Sequence, residues 1–120
     1  PVFAVYTSML TLDWLQKLGG IKAIELKNKA KAELMYGEID RNPLFKGFAA
    51  VEDRSTMNAT FTLEQSTLKE RFDTMCADAL ISGINGHRSV GGYRASMYNA
   101  LPIESVQTLV DVMKELERTA

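Results

Sequence analysis

The side chains best suited to chemistry lie between Gly86 and Pro102, a stretch reading Gly-His-Arg-Ser-Val-Gly-Gly-Tyr-Arg-Ala-Ser-Met-Tyr-Asn-Ala-Leu-Pro. It holds the only histidine, His87, and two of the six arginines, Arg88 and Arg94, around the paired glycines Gly91 and Gly92. A glycine pair permits the positive φ of a tight turn, so the pattern predicts an anion-binding hairpin. Beyond the turn, Arg94, Ser96 and Tyr98 alternate with Ala95, Met97 and Asn99, which places the Arg94 guanidinium on one face of a strand. A planar guanidinium grips a carboxylate through two parallel charge-assisted hydrogen bonds and keeps its charge near neutral pH. On residue type alone, Arg94 also suits a structural ion pair with an acid such as Glu104, and a lone histidine beside a glycine turn is commonly structural.

The same residues argue against other chemistries. Gly86 to Gly91 has the glycine spacing of a phosphate-cradling Walker loop, but Gly92 stands where that loop's lysine belongs and no helix pattern follows directly. One histidine and one cysteine supply no tetrahedral ligand set, so no metal is expected. Cys76 falls beside an apolar helical stripe and reads as a small core residue rather than a nucleophile.

The run Gly86-His87-Arg88-x-Val90-Gly91-Gly92-x-Arg94-Ala95-Ser96-x-Tyr98-Asn99-Ala100 resembles the signature near the C-terminus of the phosphoserine aminotransferases, within the class-V pyridoxal-phosphate-dependent aminotransferases. The similarity continues upstream through Arg54-Ser55-Thr56-Met57-Asn58 and Gly19-Gly20 and downstream through Leu101-Pro102, so it spans nearly the whole chain. The resemblance implies an enzyme of serine biosynthesis that moves an amino group between glutamate and 3-phosphohydroxypyruvate, giving O-phospho-L-serine and 2-oxoglutarate. It assigns Arg94 to the substrate α-carboxylate. It assigns His87 and Arg88 to the substrate phosphate, in the active site of the neighbouring subunit of a homodimer. It also implies that pyridoxal 5'-phosphate is held by a preceding large domain. None of the eight lysines, Lys17, Lys22, Lys27, Lys29, Lys31, Lys46, Lys69 and Lys114, lies in a context like that family's cofactor lysine. The chain is much shorter than the family's proteins and resembles their C-terminal small domain alone, expected to hold no cofactor and to be inactive by itself. Tyr93, Lys46-Gly47 and Ile84-Asn85 are positions to which the family pattern carries no ligand contact. A free-standing anion-binding or regulatory module of the same fold is the alternative.

Composition limits the partners. Fourteen basic and fifteen acidic residues leave a net charge of −1, which gives no broad field for nucleic acid or an anionic membrane. Any anion must be caught locally. No apolar run approaches the roughly 18 residues of a membrane span and no leader pattern opens the chain, so a soluble protein is expected. A lone cysteine suits a reducing, cytoplasmic compartment. With 120 residues and 46% hydrophobic content, the chain has room for one domain and one core.

Periodicity predicts the elements that must carry the cations. Pro1 opens a helix to Leu18 in which Val2, Phe3, Val5, Tyr6, Met9, Leu10 and Trp14 are among more apolar side chains than one core stripe needs. Some of them are expected against another domain or subunit, the alternative being a helix buried on all sides in the core, and Gly19-Gly20 stops the helix. From Ile21 to Asp40, Ile21, Ile24, Asn28, Ala32, Met35 and Ile39 step along one helical face, and Ala23, Leu26, Ala30 and Leu34 along the opposite one. Lys22, Lys27, Lys29, Lys31, Glu33 and Glu38 read as solvated flanks. After Asn42-Pro43, Leu44 to Ala50 reads as an edge strand or ordered loop. Met57, Ala59 and Phe61 alternate with polar neighbours as a half-buried strand. Thr62 and Gln65 give a capping-box pattern before a helix that turns Leu68, Phe72, Met75 and Ala79 inward. Leu80 to Asn85 reads as a second strand and the Arg94 segment as a third. Pro102 starts a last helix with Ile103, Val106, Val110, Met113 and Leu116 inward. The sum is an α+β fold of two N-terminal helices and then a small antiparallel or mixed sheet of about three strands, with helices packed on one side.

Overall fold

The computed structural model describes all 120 residues, Pro1–Ala120. In chain order the elements are α1 (Val2–Leu18), α2 (Gly20–Arg41), β1 (Phe45–Gly47), β2 (Asn58–Leu63), α3 (Lys69–Asp78), β3 (Tyr93–Ser96) and α4 (Ile103–Thr119). The three strands pair antiparallel in the order β1-β2-β3, with Gly47 opposite Phe61 and Thr60 opposite Arg94. Because side chains alternate along a strand, the sheet has two unlike faces. Phe45, Ala59, Phe61, Tyr93 and Ala95 are buried, while Lys46, Asn58, Thr60, Thr62, Arg94 and Ser96 form a polar face that is exposed or half-buried.

Helices cover the apolar face only. Met35 and Ile39 of α2, Phe72 and Cys76 of α3, and Val106, Leu109, Val110, Met113 and Leu116 of α4 close one core over it. Phe45, Phe61, Phe72 and Tyr93 meet edge to face or stacked, with ring centroids 5.0 to 5.8 Å apart, geometries that add to the stabilisation from burial. The buried Tyr93 hydroxyl finds its partner by donating to Asp73 at 2.8 Å, which ties α3 to the start of β3. The residue immediately before Arg94 is thereby fixed.

The α+β class, the single-sided packing and the β2 strand are as expected; the Arg94 strand is present but ends at Ser96, short of Asn99, and Phe45–Gly47, within the segment read as an edge strand or ordered loop, is a strand. Leu80 to Asn85, however, is not a strand. Leu80 takes φ 60° and Gly83 φ 68°, turning the segment out of extended geometry, and only Asn85 bridges to Tyr93. The capping box at Thr62 and Gln65 is not formed either: a single 3-10 turn, Ser66–Leu68, leads into α3, whose N-cap Leu68 makes no side-chain bond. Ile103 and Ile21 are exposed rather than inward, as is Leu26 on the second stripe of α2. Two residues read as solvated flanks, Lys31 and Glu38, are buried. Glu38 accepts from Asn42 at 2.9 Å, and Asn42 in turn donates to Met113 O at 3.1 Å, fastening the end of α2 to α4.

Helix α1 stands apart. It ends where expected, at Gly19 with φ 115°, and none of its 17 residues is buried. Val2 is 87%, Phe3 79% and Leu12 62% exposed, and large apolar side chains of this kind each contribute about 1.5–3 kcal/mol when buried. We therefore expect the isolated 120-residue chain to self-associate, its sedimenting mass rising with concentration, and Phe3→Glu to reduce that rise; a monodisperse monomer at all concentrations would contradict this. No helix is long and apolar enough to cross a membrane.

Candidate functional site

Residues 86–92 lift His87 and Arg88 into solvent and return the chain to β3. The loop is closed by backbone bonds: Gly86 N–H donates to Gly92 O at 2.9 Å, and His87 O accepts from Val90 at 3.0 Å and Gly91 at 2.8 Å. Two positions require glycine. A Cβ on Gly86 would lie 2.3 Å from Gly91 O, and one on Gly92, at φ +67°, would lie 2.7 Å from Phe61 O. Gly92 thus lets the loop settle directly on β2, and Arg94 N–H then donates to Ile84 O at 2.7 Å.

The loop orients His87. Ser89 N–H donates to His87 Nδ1 at 3.3 Å and the Ser89 hydroxyl lies 2.7 Å from the same nitrogen. Nδ1 is thereby engaged by Ser89, and Nε2 is the ring nitrogen left available to a ligand. Arg88 follows on the same exposed turn.

The arginines divide into two groups. Arg41 binds Glu38 and Glu117, Arg54 binds Asp40, Arg118 binds Glu115, and Arg71 donates to Thr119 O. Arg88 and Arg94 are both exposed and make neither a salt bridge nor a side-chain hydrogen bond within the chain. The pairing of Arg94 with Glu104 that residue type alone allowed is not made. Arg94 projects from the polar face of β3 with Thr60 across the strand pair, and Ser96, on the same face, donates to Asn58 Oδ1 at 3.1 Å. No hydrogen bond links the His87 and Arg88 pair to Arg94. The chain presents two separate cationic groups on one ribbon, one on a loop and one on a strand.

The other residues noted in the sequence have structural settings. Arg54 makes two bonds of 2.7 Å to Asp40 and stacks over Tyr36 at 4.6 Å; Gly47 leaves room for it, since a Cβ there would lie 2.9 Å from its guanidinium. Asp40 is held below the usual carboxylate range by its hydrogen bonds to Arg54. Ser55 Oγ accepts from the N–H groups of Met57 and Asn58, which starts β2. Cys76 is a core residue, and burial pushes its thiol up to about 11. A hollow of about 300 Å³ at the sheet edge has Arg94, Ser96 and Ser105 on its wall beside Ile84, Met97 and Val106. Another hollow, about 860 Å³, lies between α1 and the start of α2, away from the cations, and marks the same uncovered apolar surface of α1.

Sequence reasoning missed Lys31. Its Nζ donates to Met97 O at 3.2 Å, Tyr98 O at 2.7 Å and Leu101 O at 3.0 Å, and the residue is 2% exposed. A signal was present: Ile24, Asn28, Lys31, Met35, Glu38 and Asn42 follow a 4-3-4-3-4 step, and all six are buried. Lys17, Lys29 and Lys69 are paired with Asp13, Glu25 and Asp73, and Lys22, Lys27, Lys46 and Lys114 are exposed.

The class-V aminotransferase family model matches residues 1–109. The chain is 69% identical over 117 residues to the phosphoserine aminotransferase of Flavobacterium psychrophilum, covering 98% of this chain and 33% of that protein. It is 53% identical to the phosphoserine aminotransferase of Porphyromonas gingivalis, again covering 98% of this chain and 33% of the other. Among solved structures, phosphoserine aminotransferase from Bacillus circulans subsp. alkalophilus superposes with a TM-score of 0.94 at 38% identity, over 99% of this chain and 33% of that one. The pyridoxal-phosphate-bound enzyme from Trichomonas vaginalis gives 0.87 at 38% identity, over 95% and 33%. The chain spans about a third of the length of these relatives.

Proposed function

The chain belongs to the class-V aminotransferase family, and from that premise we propose that it works as the small, substrate-gripping domain of a phosphoserine aminotransferase. The reaction would be transfer of an amino group from glutamate to 3-phosphohydroxypyruvate, giving O-phospho-L-serine. One observation carries the reading: of six arginines, the two left without an internal partner, Arg88 and Arg94, are the two the sequence motif assigns to substrate. A substrate with a carboxylate at one end and a phosphate at the other needs two such grips.

In this reading Arg94 takes the α-carboxylate bidentately from the polar sheet face. A strand paired in register aims the fork more tightly than a loop. Arg88 gives the phosphate a planar cationic fork, and His87 adds its Nε2, the ring nitrogen left free by the Ser89 contacts. His87 and Arg88 act in the neighbouring subunit of a homodimer, while Arg94 acts in its own. The residues present do not fit pyridoxal phosphate, because no lysine of the chain is both buried and unbonded; the cofactor is held by polypeptide outside this chain. The chain by itself is inactive, and the complete enzyme is cytoplasmic.

The test is 2-oxoglutarate release by the full-length protein given glutamate and 3-phosphohydroxypyruvate, beside an Arg88→Ala variant. Turnover that falls at least tenfold in the variant is expected, since about 1.4 kcal/mol of lost contact already gives that factor. A full-length protein that binds O-phospho-L-serine saturably but does not turn over would instead support the non-catalytic module.

A further inference from the structure

Arg94 has no side-chain partner, so its aim depends wholly on its backbone. That backbone is slight: β3 has four residues and lies at the edge of the sheet. On its outer side it is held beyond Tyr93 by the single Arg94 to Ile84 bond. The segment C-terminal to the strand must therefore stop it from tilting. The chain leaves β3 through Met97, whose N–H donates to Met57 O at 2.7 Å, and turns through Tyr98 to Leu101 before α4.

Lys31, in the middle of α2, reaches into that turn. Its ammonium has three N–H groups, and three backbone carbonyls converge on it, from Met97, Tyr98 and Leu101. One helical turn earlier, Asn28 donates to Asn99 Oδ1 at 2.8 Å. No carboxylate neutralises Lys31, and its proton affinity is pushed below that of an ordinary lysine, first by burial and second by the charge of Lys27. Burying an ammonium without a counter-charge is costly, and a merely space-filling site would be served by methionine or leucine. Three fixed dipoles around one cation instead hold the turn in a single geometry.

We infer that Lys31 is a positioning residue for substrate carboxylate recognition: by clamping the three carbonyls after β3 it sets the direction in which Arg94 presents its guanidinium. The inference rests on the reading of Arg94 as the carboxylate grip. His87 and Arg88 lie on the far side of β3 from the clamp, before Tyr93, so phosphate binding is independent of it.

Two probes separate the ends of the substrate. O-phospho-L-serine carries phosphate and carboxylate, and O-phosphoethanolamine is the same molecule without the carboxylate. In the full-length protein, Lys31→Met should weaken O-phospho-L-serine about tenfold by calorimetric titration, while O-phosphoethanolamine stays within about twofold. Equal weakening of both ligands, or of neither, would overturn the inference. Should Lys31→Met not fold, Lys31→Ala is titrated with n-propylammonium, which replaces the atoms removed. Recovery of the preference for O-phospho-L-serine along with folding supports the clamp, and folding recovered without that preference overturns it. Arg94→Lys is run in parallel: if it leaves the preference intact, the carboxylate role of Arg94 has failed, a result distinct from failure at Lys31.

Discussion

Arg94→Lys in the full-length enzyme is expected to lower kcat/KM for the phosphorylated keto acid by more than about tenfold. The substitution keeps the positive charge but replaces a planar fork with a point charge, so one of two parallel hydrogen bonds to the carboxylate is lost and the other loses its direction. Loss of about 1.4 kcal/mol of transition-state contact suffices for a tenfold effect. Because Arg94 is exposed and unbonded within the chain, the variant should melt within a degree or two of wild type, surface substitutions away from such contacts usually being nearly neutral. Steady-state kinetics beside a melting curve check both halves; wild-type kinetics would remove Arg94 from the site.

Gly86→Ala is expected to raise KM for the phosphorylated substrate at least tenfold by displacing His87 and Arg88 together. The added Cβ would sit 2.3 Å from Gly91 O, a backbone atom that cannot rotate away. Either the Gly86 to Gly92 bond breaks or the loop is rebuilt, and a misplacement of about 1 Å at a binding group is enough for a large loss. Gly37→Ala is the control. Gly37 lies exposed in α2 with nothing near its would-be Cβ, so alanine there should leave kinetics alone and stabilise by about 1 kcal/mol. Similar KM values in the two variants would show that the loop does not position the phosphate grip.

Much of this arrangement is legible in the sequence because it is periodic. The alternation through Met57 to Phe61 gives β2, the steps of Val106, Val110, Met113 and Leu116 give the buried face of α4, and the Gly91-Gly92 pair gives the turn before Arg94. The excess of apolar residues in α1 is legible for the same reason, since a single core-facing stripe needs fewer. Leu80 to Asn85 misled because an apolar run of strand length says nothing about φ, and Leu80 and Gly83 take positive values that end extended geometry. Lys31 escaped because a lysine among charged neighbours on a helix is ordinarily solvated. Its partners are carbonyls 66 to 70 residues away, which carry no side-chain signature.

The division of labour between Arg88 and Arg94 is tested most directly by coexpressing full-length Arg88→Ala with full-length Arg94→Ala. Each variant alone should have little activity. If Arg88 serves the neighbour's site and Arg94 its own, a mixed dimer contains one site with both arginines intact and one with neither, and random pairing recovers about a quarter of wild-type turnover. A coexpressed preparation no more active than the separate variants would contradict the account, because both cations would then have to come from one subunit.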